Sequence, residues 1–315
     1  MKMIGRLAPS PTGALHLGNV RTFMVAWLRA RQAGGKVILR MEDLDHPKHK
    51  PGADAQAIED LRWLGFDWDE TFVQSERKGL YAAALAKLRA QGLAYPCVCS
   101  RRDVEAAQSA PHEGDQLHYP GTCRNRFASW SEAVAYLNPD PDDGAPLKLP
   151  CWRFRTSENT HVAFEDAFAG HYEMDVSAKL GDFPLARDED GGGYAIAVTV
   201  DDAAMGVTEV VRGDDLLPAT PSQILLYRAL GLAPPTFFHV PLVVGPDGRR
   251  LAKRHGDTRI ASFRAAGMKP EEIIGFLAAA SGIVPRKKTI GLKSLIGLFD
   301  PARLPREPLV FQGFT

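Results

Sequence analysis

The sequence predicts an α/β protein built around a parallel sheet, with an inserted subdomain and a short helical C-terminal part. Two observations carry that fold class. The first 41 residues read as strand, loop, helix and strand, which is a βαβ unit. The second of those strands, Lys36 to Met41, has an almost continuous apolar centre, as a parallel strand covered on both faces requires.

Lys2 to Ala8 forms the first expected strand, ended by the turn-forming run Pro9-Ser10-Pro11-Thr12-Gly13. Val20, Phe23, Met24, Trp27 and Leu28 fall at i, i+3, i+4, i+7 and i+8, the stripe of an amphipathic helix. Gly34-Gly35 ends that helix. Ala53 to Leu64 and Glu76 to Gln91 predict further helices, stopped by Gly65 and Gly92. From Ala94 to about Asn125 the character shifts to cysteine, histidine, proline and glycine, and Trp152 to Asp182 reads as short strands and turns. A turn is expected at Asp190 to Gly193, a strand at Tyr194 to Val200 and another at Val207 to Arg212. Thr220 and Pro221 read as N-cap and first-turn proline of a helix running to Leu230. Phe238 to Val244 is the last expected strand, followed by helices near Thr258 and from Pro270. The sheet domain is therefore expected over 1–94 and 182–256, the insertion over 95–181 and the helical C-terminal region over 257–315.

Composition narrows the function classes. Formal net charge is +0, with 38 basic and 38 acidic residues, so nucleic acid would have to be met by local clusters rather than by overall charge. A hydrophobic fraction of 45% is enough for a substantial core. No run approaches the ~20 apolar residues of a membrane span, and Met1 to Pro11 lacks the features of a signal peptide. Four cysteines are too few for a disulfide scaffold, so a cytoplasmic, reducing compartment is expected, and the chain is expected to act as a monomer.

Two loops carry phosphate-binding chemistry. Ala8 to Asn19 connects the first strand to the first helix, where doubly wound folds bind nucleotides. His16 falls just before the helix, where free backbone N–H groups and the helix dipole favour phosphate, and Gly18 lets a ligand approach the backbone. Taken alone, His16 reads more plainly as a histidine satisfied inside a proline-rich turn. The second loop, Arg249-Arg250-Leu251-Ala252-Lys253-Arg254, has four cationic side chains in six residues, suited to a polyphosphate or simply to solvent.

Together the two loops say more. Arg6-Leu-Ala-Pro-Ser-Pro-Thr-Gly-Ala-Leu-His16-Leu-Gly18-Asn19 resembles the HIGH-motif segment of the glutamyl branch of class I aminoacyl-tRNA synthetases, and Leu251-Ala-Lys253-Arg-His-Gly256 resembles their KMSKS loop. Arg40-Met-Glu-Asp-Leu-Asp45, Val200-Asp-Asp202 and Gly206-Val-Thr-Glu-Val-Val-Arg-Gly-Asp214 match the same branch in order, so the resemblance covers Arg6 to about Ile283. It implies a Rossmann-like sheet and activation of L-glutamate as an adenylate by ATP with Mg2+. Catalysis falls to His16, Asn19 and Lys253, and ATP binding to Pro9, His16, Gly18, Asn19, Lys253 and Arg254. Glutamate is placed among Arg6, Leu7, Ala8, Pro9, Ser10, Glu42, Tyr194 and Arg212. Asn19 stands where the named motif has its second histidine, and Ala252 where the second motif usually has a small hydroxyl residue. The chemistry agrees: a guanidinium fork suits the substrate's side-chain carboxylate, and Glu42 suits its ammonium. Without the motifs, Arg6 or Arg212 would read as structural ion-pair partners and Asp201-Asp202 as turn formers.

Cys97-Val-Cys99 followed by Cys123 supplies three thiolates for a tetrahedral structural zinc site, with three buried cysteines as the alternative. On chemistry alone the fourth ligand is His118 or His112; the resemblance points instead to Tyr119 of Tyr119-Pro-Gly-Thr-Cys123. Cys151 stands apart and reads as a core residue.

Only 62 residues follow Lys253, too few for the anticodon-reading region of an ordinary glutamyl enzyme. The chain therefore resembles the short members of the branch, which esterify glutamate to the queuosine base in the anticodon of tRNA(Asp). Val198 agrees, standing where ordinary glutamyl enzymes tend to have asparagine. Lys48, Lys50, Arg101, Arg102 and Arg124 are candidate phosphate contacts or solvated charges. The alternatives are a shortened synthetase charging the 3′ end of tRNA(Glu), and a non-catalytic RNA-binding relative.

Overall fold

The apolar stripe from Val20 to Leu28 is buried along α1 (Leu17–Gln32), which joins the parallel strands β1 (Ile4–Leu7) and β2 (Lys36–Met41). The computed structural model describes residues 2–11, 14–44, 50–107, 117–140, 144–189, 193–251 and 257–314. Arg29 and Arg31 in the last turn of α1 face the negative end of its dipole. α2 (Ala53–Trp63) leads to β3 (Glu70–Val73), which pairs in parallel with β2. A 3-10 turn at Gln74–Arg77 then opens α3 (Lys78–Ala90).

After α3 the pairing becomes antiparallel. β4 (Ala94–Cys97) is followed by α4 (Arg101–Ala106) and α5 (Trp130–Leu137), each started by a serine N-cap, Ser100 and Ser129. β5 (Cys151–Phe154) pairs with β4. β6 (His161–Asp166) and β7 (Gly170–Asp175) form a hairpin, and α6 (Val176–Lys179) leads to β8 (Pro184–Ala186) on the other edge of β5.

Tyr194–Ala204 is a helix, α7, and not the strand expected from Tyr194 to Val200. Ile196, Val198, Thr199 and Val200 suggested a strand because a short, fully buried apolar run has no period that separates the two forms. Four alanines, the best helix formers, and burial on nearly every side favour the helix. Asp201 and Asp202 are accordingly buried helix residues and not turn formers. β9 (Glu209–Gly213) and a 3-10 turn at Asp214–Ala219 precede α8 (Thr220–Leu230), whose N-cap is Ala219, one residue before the expected Thr220. The strand expected over Phe238 to Val244 is two pieces, β10 (Thr236–Val240) and β11 (Val243–Val244), separated at Pro241, which has no N–H to give a ladder. α9 (Ile260–Ala265) and α10 (Pro270–Ala280) follow, and β12 (Leu309–Val310) returns to pair with β11.

β9 and β10 are parallel, and β9 lies beside β1. The Thr208 N–H donates to Ile4 O at 2.9 Å and Ile4 N–H donates to the Thr208 hydroxyl at 2.9 Å, while further along Arg6 reaches Val211 O. The strands thus run in one direction in the order β3-β2-β1-β9-β10. Alternate residues enter opposite apolar clusters: Leu39, Val211 and Phe238 pack on the α1 side, and Ile38, Val210 and Phe237 on the α7 and α8 side. Chain order reverses between β1 and β9, and in such sheets the crevice at the carboxyl ends of the flanking strands receives the ligand.

Candidate active site

Arg6 in β1, Glu42 just past β2, Arg212 in β9 and Tyr194 at the start of α7 all lie at that crevice. Leu7 points into the apolar core and can offer only its backbone, Ala8 is partly exposed, Pro9 is buried and Ser10 is exposed. Pro9 O accepts the Glu42 N–H at 3.0 Å, so the loop leaving β1 is tied to the end of β2. Glu42 is held by Arg40, whose Nη2 donates to Oε1 at 2.9 Å. Arg40 is fully buried and its Nη1 donates to Asp202 Oδ1 at 2.6 Å; Arg6 Nε lies 3.5 Å from the same oxygen without a hydrogen bond. Asp202 therefore anchors two arginines, and Arg6 is in part an ion-pair residue. Tyr194 is half open to solvent, yet crowding, and then the Glu42 carboxylate, push its phenol up while Arg212 and Arg6 pull it down. Neighbouring Asp201 is taken up by Arg77 Nε at 2.7 Å, Tyr81 hydroxyl at 2.8 Å and Gln74 at 3.1 Å.

His16 is the N-cap of α1, with extended backbone, and its N–H donates to Asn19 Oδ1 at 3.2 Å. The acceptor oxygen of Asn19 is thus engaged in capping, which leaves its amide N–H2 as the donor for a ligand. His16 Nδ1 is buried and unpartnered, and burial, then the Arg250 charge, push the imidazole down to about 4. A side chain on Gly18 would stand 3.2 Å from that imidazole and 3.6 Å from Val243, so glycine here makes room for the ring. The segment after the second cationic loop clasps the histidine from the other side: Leu17 N–H donates to Thr258 O at 3.0 Å, Ile260 N–H donates to Leu15 O at 2.9 Å, and His16 bridges Arg259. Lys253 and Arg254 lie outside the described residues, as do Thr12, Gly13, Asp45, Lys48, His112 and Ala252.

A buried chain behind Arg212 was not anticipated. Arg212 Nε donates to His239 Nε2 at 2.9 Å and Nη2 donates to the Thr220 hydroxyl at 2.8 Å. His239 Nδ1 lies 2.6 Å from Asp166 Oδ2, and Asp166 Oδ1 accepts the His239 backbone N–H at 3.1 Å. Burial opposes charge on Asp166, but hydrogen bonds from His239, Ala169 and Phe168 outweigh it and hold the carboxyl below its ordinary range. The only local sign of this arrangement was a histidine inside the apolar run Phe237-Phe238-His239-Val240.

The thiols gather at the end of β4 and in the segment that follows it. Cys97, Cys99 and Cys123 place their sulfurs within 4.8 Å of one another, with Cys99 and Cys123 3.6 Å apart. Tetrahedral zinc with Zn–S of about 2.3 Å puts its sulfurs roughly 3.8 Å apart, so the cluster fits that ion. The Tyr119 hydroxyl lies 3.3 Å from Cys97 Sγ and 3.8 Å from Cys99 Sγ, and accepts the Cys123 N–H at 2.8 Å. His118, in contrast, reaches Ser177 O at 3.2 Å. Arg153 Nε donates to Cys97 Sγ at 3.1 Å and its guanidinium lies 3.8 Å over the Tyr119 ring, which favours anionic ligands. Cys97 and then burial push the Cys123 thiol up to about 12, and a bound cation would lower it again. Cys151 does not stand apart: it is the cross-strand partner of Cys97.

Residues 2–294 match the family described as tRNA synthetases class I (E and Q), catalytic domain. The glutamyl-Q tRNA(Asp) synthetase of Symbiobacterium thermophilum is 49% identical over 318 residues, covering 98% of this chain and 95% of that protein. The chain belongs to this class I synthetase family, in its glutamyl-Q tRNA(Asp) synthetase group. It is similar at lower identity, 38%, to the glutamate–tRNA ligase of Aquifex aeolicus, across 98% of this chain and 64% of that one. The crystal structure of a glutamate tRNA ligase from Elizabethkingia meningosepticum, in complex with its amino acid, superposes with a TM-score of 0.80 at 28% identity, covering 99% of this chain and 67% of the other. The chain is thus a ligase of the class I synthetase type with the α/β fold of that class, whose members use ATP with Mg2+. Among the described residues no helix is long and apolar enough to cross a membrane.

Proposed function

We propose that the chain activates L-glutamate as glutamyl-adenylate and transfers the glutamyl group to the queuosine base of tRNA(Asp). The observation that carries this reading is the convergence of Arg6, Glu42, Tyr194 and Arg212 at one crevice, with His16 capping the helix that follows β1. Arg212 offers a guanidinium to the substrate's side-chain carboxylate, Glu42 a carboxylate to its ammonium, and Arg6, Tyr194 and the backbone of Leu7 to Ser10 complete the pocket. The α-carboxylate attacks the α-phosphorus of ATP, an O–P bond forms and pyrophosphate leaves. A hydroxyl of the cyclopentene-diol of queuosine then attacks the mixed-anhydride carbonyl and releases AMP. Both steps depend chiefly on positioning and charge stabilisation. His16, neutral at pH 7, donates a hydrogen bond to phosphate beside the α1 N-terminus; Pro9, Gly18 and Asn19 border the nucleotide, and Lys253 and Arg254 neutralise charge developing on its phosphates. Mg2+ accompanies ATP. Zinc held by Cys97, Cys99, Cys123 and Tyr119 would tie β4 to the segment ending at Cys123 and act structurally.

The higher identity to a glutamyl-Q enzyme than to a glutamate–tRNA ligase supports queuosine as acceptor. Labelled glutamate offered with ATP to tRNA(Asp) with and without queuosine, and to tRNA(Glu), tests this. Label should enter only queuosine-containing tRNA(Asp) and persist after removal of its 3′-terminal adenosine. Label on the 3′ end of tRNA(Glu) would make the protein a shortened conventional synthetase. Absence of adenylate and of label on every RNA would favour an RNA-binding role without catalysis.

A further inference from the structure

A second concave surface lies between α3 and the antiparallel strands, and its lining includes none of Arg6, His16, Glu42, Tyr194 and Arg212. A cavity of about 810 Å3 opens between the C-terminal end of α3, β4 and the segment from Arg124 to Ser129. Four arginines line it, and three of them, Arg89, Arg126 and Arg155, lie on aromatic rings with no carboxylate partner among the described residues. The Arg89 guanidinium sits 4.8 Å from the centre of the Trp152 ring, which stacks on Trp130 at 5.1 Å. The Arg126 guanidinium sits 4.3 Å from Tyr136 and 5.3 Å from Phe127. Arg155, 5.1 Å from the centre of the Tyr95 ring, already donates to the Arg124 and Gly92 carbonyls, and Arg124 is fixed by the Asp182 carboxylate at 2.7 and 2.8 Å, which leaves Arg89 and Arg126 as the arginines held by rings alone. The acid on the rim, Glu132, is engaged within the loop by the Ala128 N–H at 2.6 Å.

A guanidinium resting on a ring is held by one face and keeps its N–H edge for an incoming acceptor. That edge takes phosphate oxygens in pairs, and the ring-and-guanidinium plane offers a base a surface to stack on. Arg89 and Arg126 are exposed, and the cavity falls within the range of about 300–1,000 Å3 that holds a small organic ligand. The floor also connects to the crevice: Trp152 lies in β5, β5 pairs with β8, and the α7 N-terminus rests on β8 so closely that a side chain on Gly193 would meet Leu185 O at 2.1 Å.

We propose that this groove binds one or two nucleotides of the RNA substrate, away from the nucleoside that reacts, with Arg89 and Arg126 on the phosphates. The assignment rests on the RNA-acylating reading above, and its ligand chemistry is a phosphodiester with an adjoining base. The test is fluorescence anisotropy of queuosine-containing tRNA(Asp) over a salt series, with the full chain and the Arg89→Ala/Arg126→Ala double variant. Affinity should fall on the order of tenfold, and the dependence of log affinity on log salt should flatten by roughly 1 to 2. Glutamate-dependent exchange of pyrophosphate into ATP should not change, and the melting temperature should fall by no more than a few degrees, the scale of two exposed cation–π contacts. Arg126→Glu alone, which leaves the buried Trp152 stack intact, should weaken RNA binding in the same direction. Unchanged affinity and salt slope in both variants would overturn the proposal, as would failure of the unaltered chain to bind any of these RNAs. Loss of binding to a poly-glutamate peptide, with RNA affinity intact, would overturn it in favour of an acidic protein partner. RNA binding that requires both arginines while no RNA receives glutamate would support the groove and remove the reading of the reaction.

Discussion

Arg212 and His239 form a buried pair in which the arginine Nε donates to the histidine Nε2 at 2.9 Å. This contact requires a neutral imidazole that keeps its proton on Nδ1, toward Asp166. Burial lowers the His239 pKa, the Asp166 hydrogen bond raises it and the Arg212 charge lowers it, for a net downward shift that agrees with the neutral form. The aspartate thereby selects the tautomer that aims the guanidinium at the crevice.

Asp166→Asn should free His239 to turn and Arg212 to lose its orientation. The KM for glutamate should rise by on the order of tenfold, the scale of one charged hydrogen bond, while the KM for ATP stays near its original value. Arg212→Lys keeps the charge but loses the fork and should behave similarly or worse. Equal changes in both KM values would mean a general structural defect instead.

His16 should titrate near pH 4 in the protein without nucleotide, against about 6.5 in an unfolded chain. A depressed pKa on a base means that the folded protein binds fewer protons between those values. Its contribution to stability is complete above pH 6.5 and is lost as pH falls toward 4. ATP should move the midpoint upward, because phosphate charge favours the imidazolium. The histidine ring resonances followed by NMR across pH decide the matter, and a midpoint above 6 without nucleotide would refute the burial argument.

Asp202→Ala leaves Arg40 fully buried with Glu42 as its remaining ionic contact. Breaking such a pair costs about 3–5 kcal/mol, readable as a lower urea midpoint. A loss below about 1 kcal/mol, the scale of a surface pair, would show that water enters and screens the site.

Cys99→Ser should reduce bound zinc, measured by elemental analysis of the purified protein, and lower the melting temperature. Cys151→Ser should leave the zinc content unchanged, because the close cluster consists of Cys97, Cys99 and Cys123. Equal zinc loss in both variants would place Cys151 among the ligands.

The βαβ start was legible because its signals are local: the apolar stripe of α1 and the apolar centre of Lys36–Met41 each lie within one element. Motif spacing likewise named His16, Glu42 and Arg212, which stand at a helix N-terminus, just past a strand and within a strand, positions that a chain pattern can mark. What neighbours across the fold decide was not legible. Tyr194–Ala204 became a helix because it is buried on nearly every side, where periodicity is silent. Cys151 met Cys97 through strand register across 54 residues, and Asp166 met His239 across 73. Asp202 acquired its role from Arg40, 162 residues away. The sequence by itself determined the fold class, the family motifs and the residue types at the crevice, because those depend on short-range pattern. Tertiary structure alone decided which buried charges hold them in place, because a desolvated charge is settled by whatever opposite charge or hydrogen-bond partner the fold brings within about 3 Å.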